Sequence, residues 1–182
     1  MSENKPMSCY LLHLRDNNPY TKEMEFLSSL AKPPGRICYL SLERPYKDVV
    51  EDMKEHNIDI SEFFFIDILS NAFVKHESNA MCRFIDPPVN IERVRSALKE
   101  TFRKNGFSVV IIDAITSLLA YESSFQALRF VHSLRTYEEP HLRQIKTSIV
   151  MTITSELRGF DQSEELYKDL KMLADKIINL AD

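Results

Sequence analysis

Four residues of this chain carry the charges that handling a phosphate ester requires. Arg15 and Lys22 are cations on either side of one turn, and Glu43 and Asp113 are carboxylates where apolar strand patterns stop. Asp113 closes Val109-Val110-Ile111-Ile112. A carboxylate at such a strand tip can hold Mg²⁺ or its water shell. A buried strand must also end on something polar, so Asp113 has a purely structural reading too. Glu43 ends Tyr39-Leu40-Ser41-Leu42. There it could orient an attacking water, or merely favour the positive end of the next helix. In open α/β sheets ligands sit beyond the carboxyl ends of the strands. His13, Arg44, Thr116, Ser117, Thr154, Ser155 and Glu156 fall at such ends as well.

The elements that must position these residues alternate between the two periodicities. Cys9–Leu14, Ile37–Leu42, Phe63–Leu69, Met81–Ile85, Phe107–Asp113, Ser148–Thr154 and Lys176–Leu180 read as strands. Near-continuous apolar runs such as Phe107–Ile112 are expected of parallel strands covered on both faces. Thr21–Lys32 and Tyr46–His56 read as helices. Another starts at Asn90, a good N-cap, with Ile91, Val94, Leu98 and Phe102 on one face. A fourth runs from Ser123 to Thr136 with Phe125, Leu128, Val131 and Leu134 inward. Ser163 is expected to cap the last, which carries Leu166, Leu170 and Leu173. Strand and helix in turn predict one α/β domain over residues 1–182, with residues 1–7 as a flexible lead-in.

Composition narrows the function classes. The 182 residues are 44% apolar and 27% charged, with net charge −4. A pI near 5.8 and the lack of a basic block argue against a dedicated nucleic-acid binder. Lys99, Arg103 and Lys104 form a local basic face, and Leu142-Arg143-Gln144-Ile145-Lys146 adds two cations in a connector; both read as solvated surface. Cys9, Cys38 and Cys82 are isolated and odd in number, which fits buried thiols of a reducing cytosol. His13, His56, His76, His132 and His141 lack metal-ligand spacing, and His13 reads as a packed strand histidine. No apolar run approaches about 18 residues, so neither a membrane span nor an N-terminal export signal is expected.

Three segments in order resemble the RecA/KaiC-like P-loop ATPases. Tyr39-Leu40-Ser41-Leu42-Glu43-Arg44-Pro45, with Val49–Met53 and Asn57-Ile58-Asp59 behind it, is similar to that family's second strand and helix. Val109–Leu119 is similar to its Walker B strand and the serine-bearing turn beyond, and Leu173–Leu180 to its closing strand. The resemblance spans Cys9 to Leu180. It implies a RecA-like domain with a mostly parallel sheet of six or seven strands and helices on both faces. It also implies ATP and Mg²⁺ as ligands wherever the phosphate site is intact.

That site is where the chain departs from the family. The pattern G-x-x-x-x-G-K-[ST] falls on Asp16-Asn17-Asn18-Pro19-Tyr20-Thr21-Lys22-Glu23, and only Lys22 is retained. The whole chain has three glycines (Gly35, Gly106, Gly159), where average usage would give about 13. Asp16 and Thr21 stand at the glycine positions, where a side chain obstructs close backbone approach. Pro19 removes an N–H from the turn. Asp16 and Glu23 add negative charge, each costing roughly 4 kcal/mol at 4 Å from a phosphate charge with an effective dielectric near 20. Arg44 replaces the second glutamate of the family's pair. The same turn is coherent without a ligand: Asn18 as N-cap, Pro19 as first helical residue, and Glu23 and Glu25 complementing the helix dipole.

The expectation is therefore a non-catalytic KaiC-like protein that acts as a protein-interaction or regulatory module through a protein partner or self-association. No cofactor and no catalytic residue are expected, and Glu43 is vestigial. The alternative is an ATP-binding protein or weak ATPase with an atypical P-loop. There Arg15 and Lys22 would neutralise phosphate, Asp113 and Glu23 would hold Mg²⁺, and Glu43 would position water.

Overall fold

Alternating apolar strands and amphipathic helices fold into seven parallel strands with helices on both faces. The computed structural model describes residues 7–14, 19–30, 35–137, 147–154 and 161–180. The strands are β1 (Ser8–Leu14), β2 (Arg36–Ser41), β3 (Phe63–Asp67), β4 (Cys82–Phe84), β5 (Phe107–Asp113), β6 (Ser148–Thr154) and β7 (Lys176–Leu180). The helices are α1 (Pro19–Leu30), α2 (Tyr46–Glu55), α3 (Ile91–Lys104), α4 (Ser124–Arg135) and α5 (Asp161–Leu173). The strand order is β4-β3-β2-β5-β6-β1-β7, and every pairing is parallel. All carboxyl ends therefore lie along one edge.

Strand periodicity assigns each side chain to a face. Leu12, Leu14, Ile37, Tyr39, Phe65, Val109, Ile111 and Val150 pack against Met24 and Leu27 of α1 and Val49 and Met53 of α2. Their strand neighbours Leu11, Cys38, Leu40, Val110, Ile112 and Met151 pack the other way. They meet Val94, Leu98 and Phe102 of α3, Val131 and Leu134 of α4, and Leu166 and Leu170 of α5. Every residue of β5 is buried, as its uninterrupted apolar run requires. Each fully buried Leu, Ile or Phe side chain contributes roughly 1.5–3 kcal/mol.

Local chemistry sets the ends of elements. The Asn90 side chain accepts the Arg93 N–H at 3.0 Å and starts α3, as expected. β3 stops at Asp67, two residues earlier than its apolar run. There the Asp67 carboxylate accepts the N–H groups of Leu69 and Ser70 at 2.7 and 2.9 Å, turning the chain into a short 3₁₀ segment over Ser70–Ala72. Ser163 is inside α5, not its cap, since the helix starts at Asp161. Phe125 is 62% exposed, contrary to the expected inward face. With Ser123 capping α4, the buried stripe runs Ala127, Phe130, Val131 and Leu134. Phe125 falls outside that stripe, and its ring lies 5.8 Å from the Arg129 guanidinium. Met7 donates its N–H to the Arg135 carbonyl at 3.1 Å. No described helix is long and apolar enough to cross a membrane.

Candidate functional site

The carboxyl ends of β2, β5 and β6 meet the first turns of α1, and polar side chains fill the meeting point. In β2, Tyr39 faces α1 and α2 because its neighbours Cys38 and Leu40 face the other layer. In β5 the same alternation turns Asp113 toward α1, two residues beyond Ile111. Thr152 of β6 follows two residues after Val150 on that face. From the helix side, Glu23 points inward one residue before the core residue Met24, and it is fully buried.

These groups form one hydrogen-bonded cluster. The Tyr39 hydroxyl lies 2.5 Å from Asp113 Oδ2 and 2.7 Å from Glu23 Oε1. The Thr152 hydroxyl donates to Asp113 Oδ1 at 2.8 Å. Arg44 reaches in from the loop after β2, with Nη2 3.4 Å from Glu23 Oε2 and Nη1 bonded to Asp52 of α2. The Arg44 guanidinium stacks on the Tyr20 ring at 4.1 Å. The Tyr20 hydroxyl in turn donates to Glu43 Oε1 at 3.4 Å. The Leu42 N–H donates to the Asp113 carbonyl at 2.6 Å, tying the end of β2 to the end of β5. The Asp113–Ala114 peptide bond is cis.

Burial sets the electrostatics. It pushes the Glu23 carboxyl well above the ordinary carboxylate range, and the neighbouring Asp113 charge pushes the same way against Arg44 and Tyr39. Burial also raises Asp113, opposed by hydrogen bonds from Tyr39 and Thr152 and by the Arg44 charge. Tyr39 is raised well above the usual phenol value, by burial first and by both carboxylates next.

The expected site residues separate on this frame. Asp113 ends β5, and Glu43 lies two residues beyond the end of the adjacent β2, whose last residue Ser41 pairs with Asp113. Glu23 does not complement the helix dipole from the surface, since docking of α1 on the sheet buries it against Tyr39 and Arg44. Lys22 pairs with Glu25 at 3.4 Å, with 21% and 58% of the two side chains exposed. Arg15 and the proposed cap Asn18 lie outside the described residues, as do Asp16, Asn17, His141, the Leu142–Lys146 connector, Ser155 and Glu156. His13 is a packed strand histidine, its Nδ1 3.0 Å from the Tyr167 hydroxyl on the opposite face of the sheet. Lys99 lies over the Tyr137 ring at 5.1 Å.

Tyr39 and Thr152 belong to this site without being singled out by any motif in the sequence. A signal exists, because each is a hydroxyl with apolar chain neighbours inside a largely buried strand. Such a group needs a polar partner in the fold.

Set as they are, these carboxylates do not fit Mg²⁺. Both oxygens of Asp113 are taken, by Tyr39 and Thr152, and both of Glu23, by Tyr39 and Arg44. The compensating charge is a guanidinium. Among the described residues no group of three or more His, Cys, Asp or Glu side chains is placed to hold a metal ion.

No family model matches the chain, and no curated protein matches it. Solved structures do share its fold. A KaiC-like protein of the hyperthermophilic archaeon Pyrococcus horikoshii is 16% identical, with a TM-score of 0.54 over 88% of this chain and 68% of that one. An uncharacterized protein of the same archaeon, crystallised in complex with an unknown peptide, is 12% identical, with a TM-score of 0.67 over 96% of this chain and 78% of that one. At these identities the likeness is one of fold: a single α/β domain around a seven-stranded parallel sheet, matching a KaiC-like structure.

Proposed function

We propose that this chain is a non-catalytic KaiC-like protein that works as a protein-interaction or regulatory module in a reducing cytosol. The observation that carries this reading is the cluster at the strand tips. Glu23 stands where the resemblance would put the hydroxyl that reaches Mg²⁺, and it is bonded instead to Tyr39 and Arg44. Asp113, the counterpart of the Walker B carboxylate, has both oxygens engaged by protein hydroxyls. Opening these groups to a metal–nucleotide complex would strip a buried charge of its partners, at a cost of roughly 3–5 kcal/mol. An ordinary micromolar nucleotide affinity is worth about 8 kcal/mol, so the cost removes much of it.

The similar archaeal structure was solved with a peptide bound. A protein partner or self-association follows from that reading, and ATP with Mg²⁺ is the alternative it displaces.

Isothermal titration of the full chain with ATP and Mg²⁺ is the test. The expected result is no binding heat at millimolar nucleotide. ATP hydrolysis that disappears in Lys22→Ala or Asp113→Asn would overturn the reading in favour of an enzyme with an atypical P-loop.

A further inference from the structure

We infer that the Glu23–Tyr39–Asp113 cluster holds one resident proton on Glu23, which with Arg44 supplies the positive charge that two buried carboxylates need. This goes beyond the proposed function and does not depend on it.

One phenolic oxygen sits 2.5 Å from Asp113 Oδ2 and 2.7 Å from Glu23 Oε1. A tyrosine hydroxyl has one hydrogen and can donate to one of them. Two ionised carboxylates would leave the second short O···O contact with no hydrogen in it. A carboxylic acid proton fills that gap.

The hydrogen bonds also say which oxygen carries it. Asp113 accepts from Thr152 at Oδ1 as well as from Tyr39 at Oδ2, and donated bonds favour the ionised form. Glu23 has the guanidinium at Oε2 at the longer distance of 3.4 Å. The order is therefore Glu23 Oε1–H donating to Tyr39, and Tyr39 donating to the Asp113 carboxylate.

Glu23 is fully buried and Asp113 is 1% exposed. The groups acting on Glu23 are Tyr39 from β2, Glu43 and Arg44 from the following loop and Asp113 from β5; on α1 itself, Tyr20 bonds Glu43 and Lys22 pairs with Glu25. Arg44 is the cation in contact, and it is shared with Asp52 of α2. One guanidinium cannot neutralise Glu23, Asp113 and Asp52 together, and a second bare carboxylate in that interior is strongly disfavoured. With the proton in place, the buried pair Glu23 and Asp113 carries one negative charge against the Arg44 guanidinium, and Asp52, 37% exposed, has its charge in reach of solvent. The direction of the Glu23 shift agrees.

The sign of the pH effect follows. Unfolded Glu23 releases its proton near the ordinary value of 4.5, and folded Glu23 releases it only at its raised value. Between the two, the folded state binds one more proton, so stability falls as pH rises.

Infrared spectroscopy and pH-dependent denaturation of the full chain test this. In wild type at neutral pH a protonated-carboxyl carbonyl band is expected, and it should vanish in Glu23→Gln, which keeps the shape without the titration. The folding equilibrium constant of wild type relative to Glu23→Gln should drop about tenfold per pH unit above about 4.5. A wild-type spectrum with no such band overturns the inference even should the variant not fold. So does a wild-type to Glu23→Gln difference that stays flat above that pH. Nucleotide binding in titration would count against the proposed function and not against the proton, which is read on the nucleotide-free chain.

Discussion

The Arg44 guanidinium lies 4.1 Å from the centre of the Tyr20 ring while its Nη2 faces Glu23 at 3.4 Å. The cation is therefore clamped between the first turn of α1 and the buried acid, and its other arm holds Asp52 on α2. Removing it in Arg44→Met should cost about 3 kcal/mol, because a buried carboxylate loses its counter-charge. Arg44→Lys keeps the charge but not the planar stacking, and should cost about 1 kcal/mol. Urea denaturation monitored by circular dichroism measures both. A loss in Arg44→Met no larger than that of a surface arginine would refute the structural role.

Tyr39→Phe tests the centre of the cluster. The ring keeps its packing against Phe65, whose centroid is 5.7 Å away, and the hydroxyl between Glu23 and Asp113 is lost. Leaving the buried Asp113 carboxylate without this donor, and Glu23 without its partner, costs about 2 kcal/mol. The expected outcome is a folded protein with a lower denaturation midpoint and an unchanged slope. A midpoint equal to wild type would mean that the hydroxyl bridges nothing.

The cysteines give a chemical readout of the core. Cys9, Cys38 and Cys82 are free and buried in strands. Burial pushes the Cys9 thiol up to about 11, and raises those of Cys38 and Cys82 further. The thiolate is the reactive form. Native protein should therefore give almost no colour with an aromatic disulfide reagent at neutral pH, and three thiols should appear on unfolding. Fast reaction of any of them in the native state would place it nearer to solvent than the structure does.

Much of the fold is legible in local pattern. β5, β6 and β7 run from the residues where the apolar runs start and stop, and Asn90 caps α3 as its type and place foretell. The misplacements have local causes. Asp67 ends β3 through side-chain bonds to the next turn. Phe125 lies outside a buried stripe that its neighbours Ala127 and Val131 define. Glu23 lies beyond the first turn of α1, and an acid near a helix start reads equally well as a surface partner of the dipole. Only the docking of α1 separates the two positions.

By itself the sequence determined the alternation of elements, the buried parallel sheet and the placing of Glu43 and Asp113 at strand tips. Those properties follow from periodicity and apolar runs within about 15 residues. The tertiary structure alone decided what lies between those tips. Tyr39 meets Glu23 across 16 residues and Asp113 across 74, and Thr152 meets Asp113 across 39. No local pattern encodes such contacts, because they depend on strand order and on how far α1 rolls onto the sheet. That docking puts a phenol, a guanidinium and two carboxyls in one buried volume, where desolvation and the supply of hydrogens govern the state of each group.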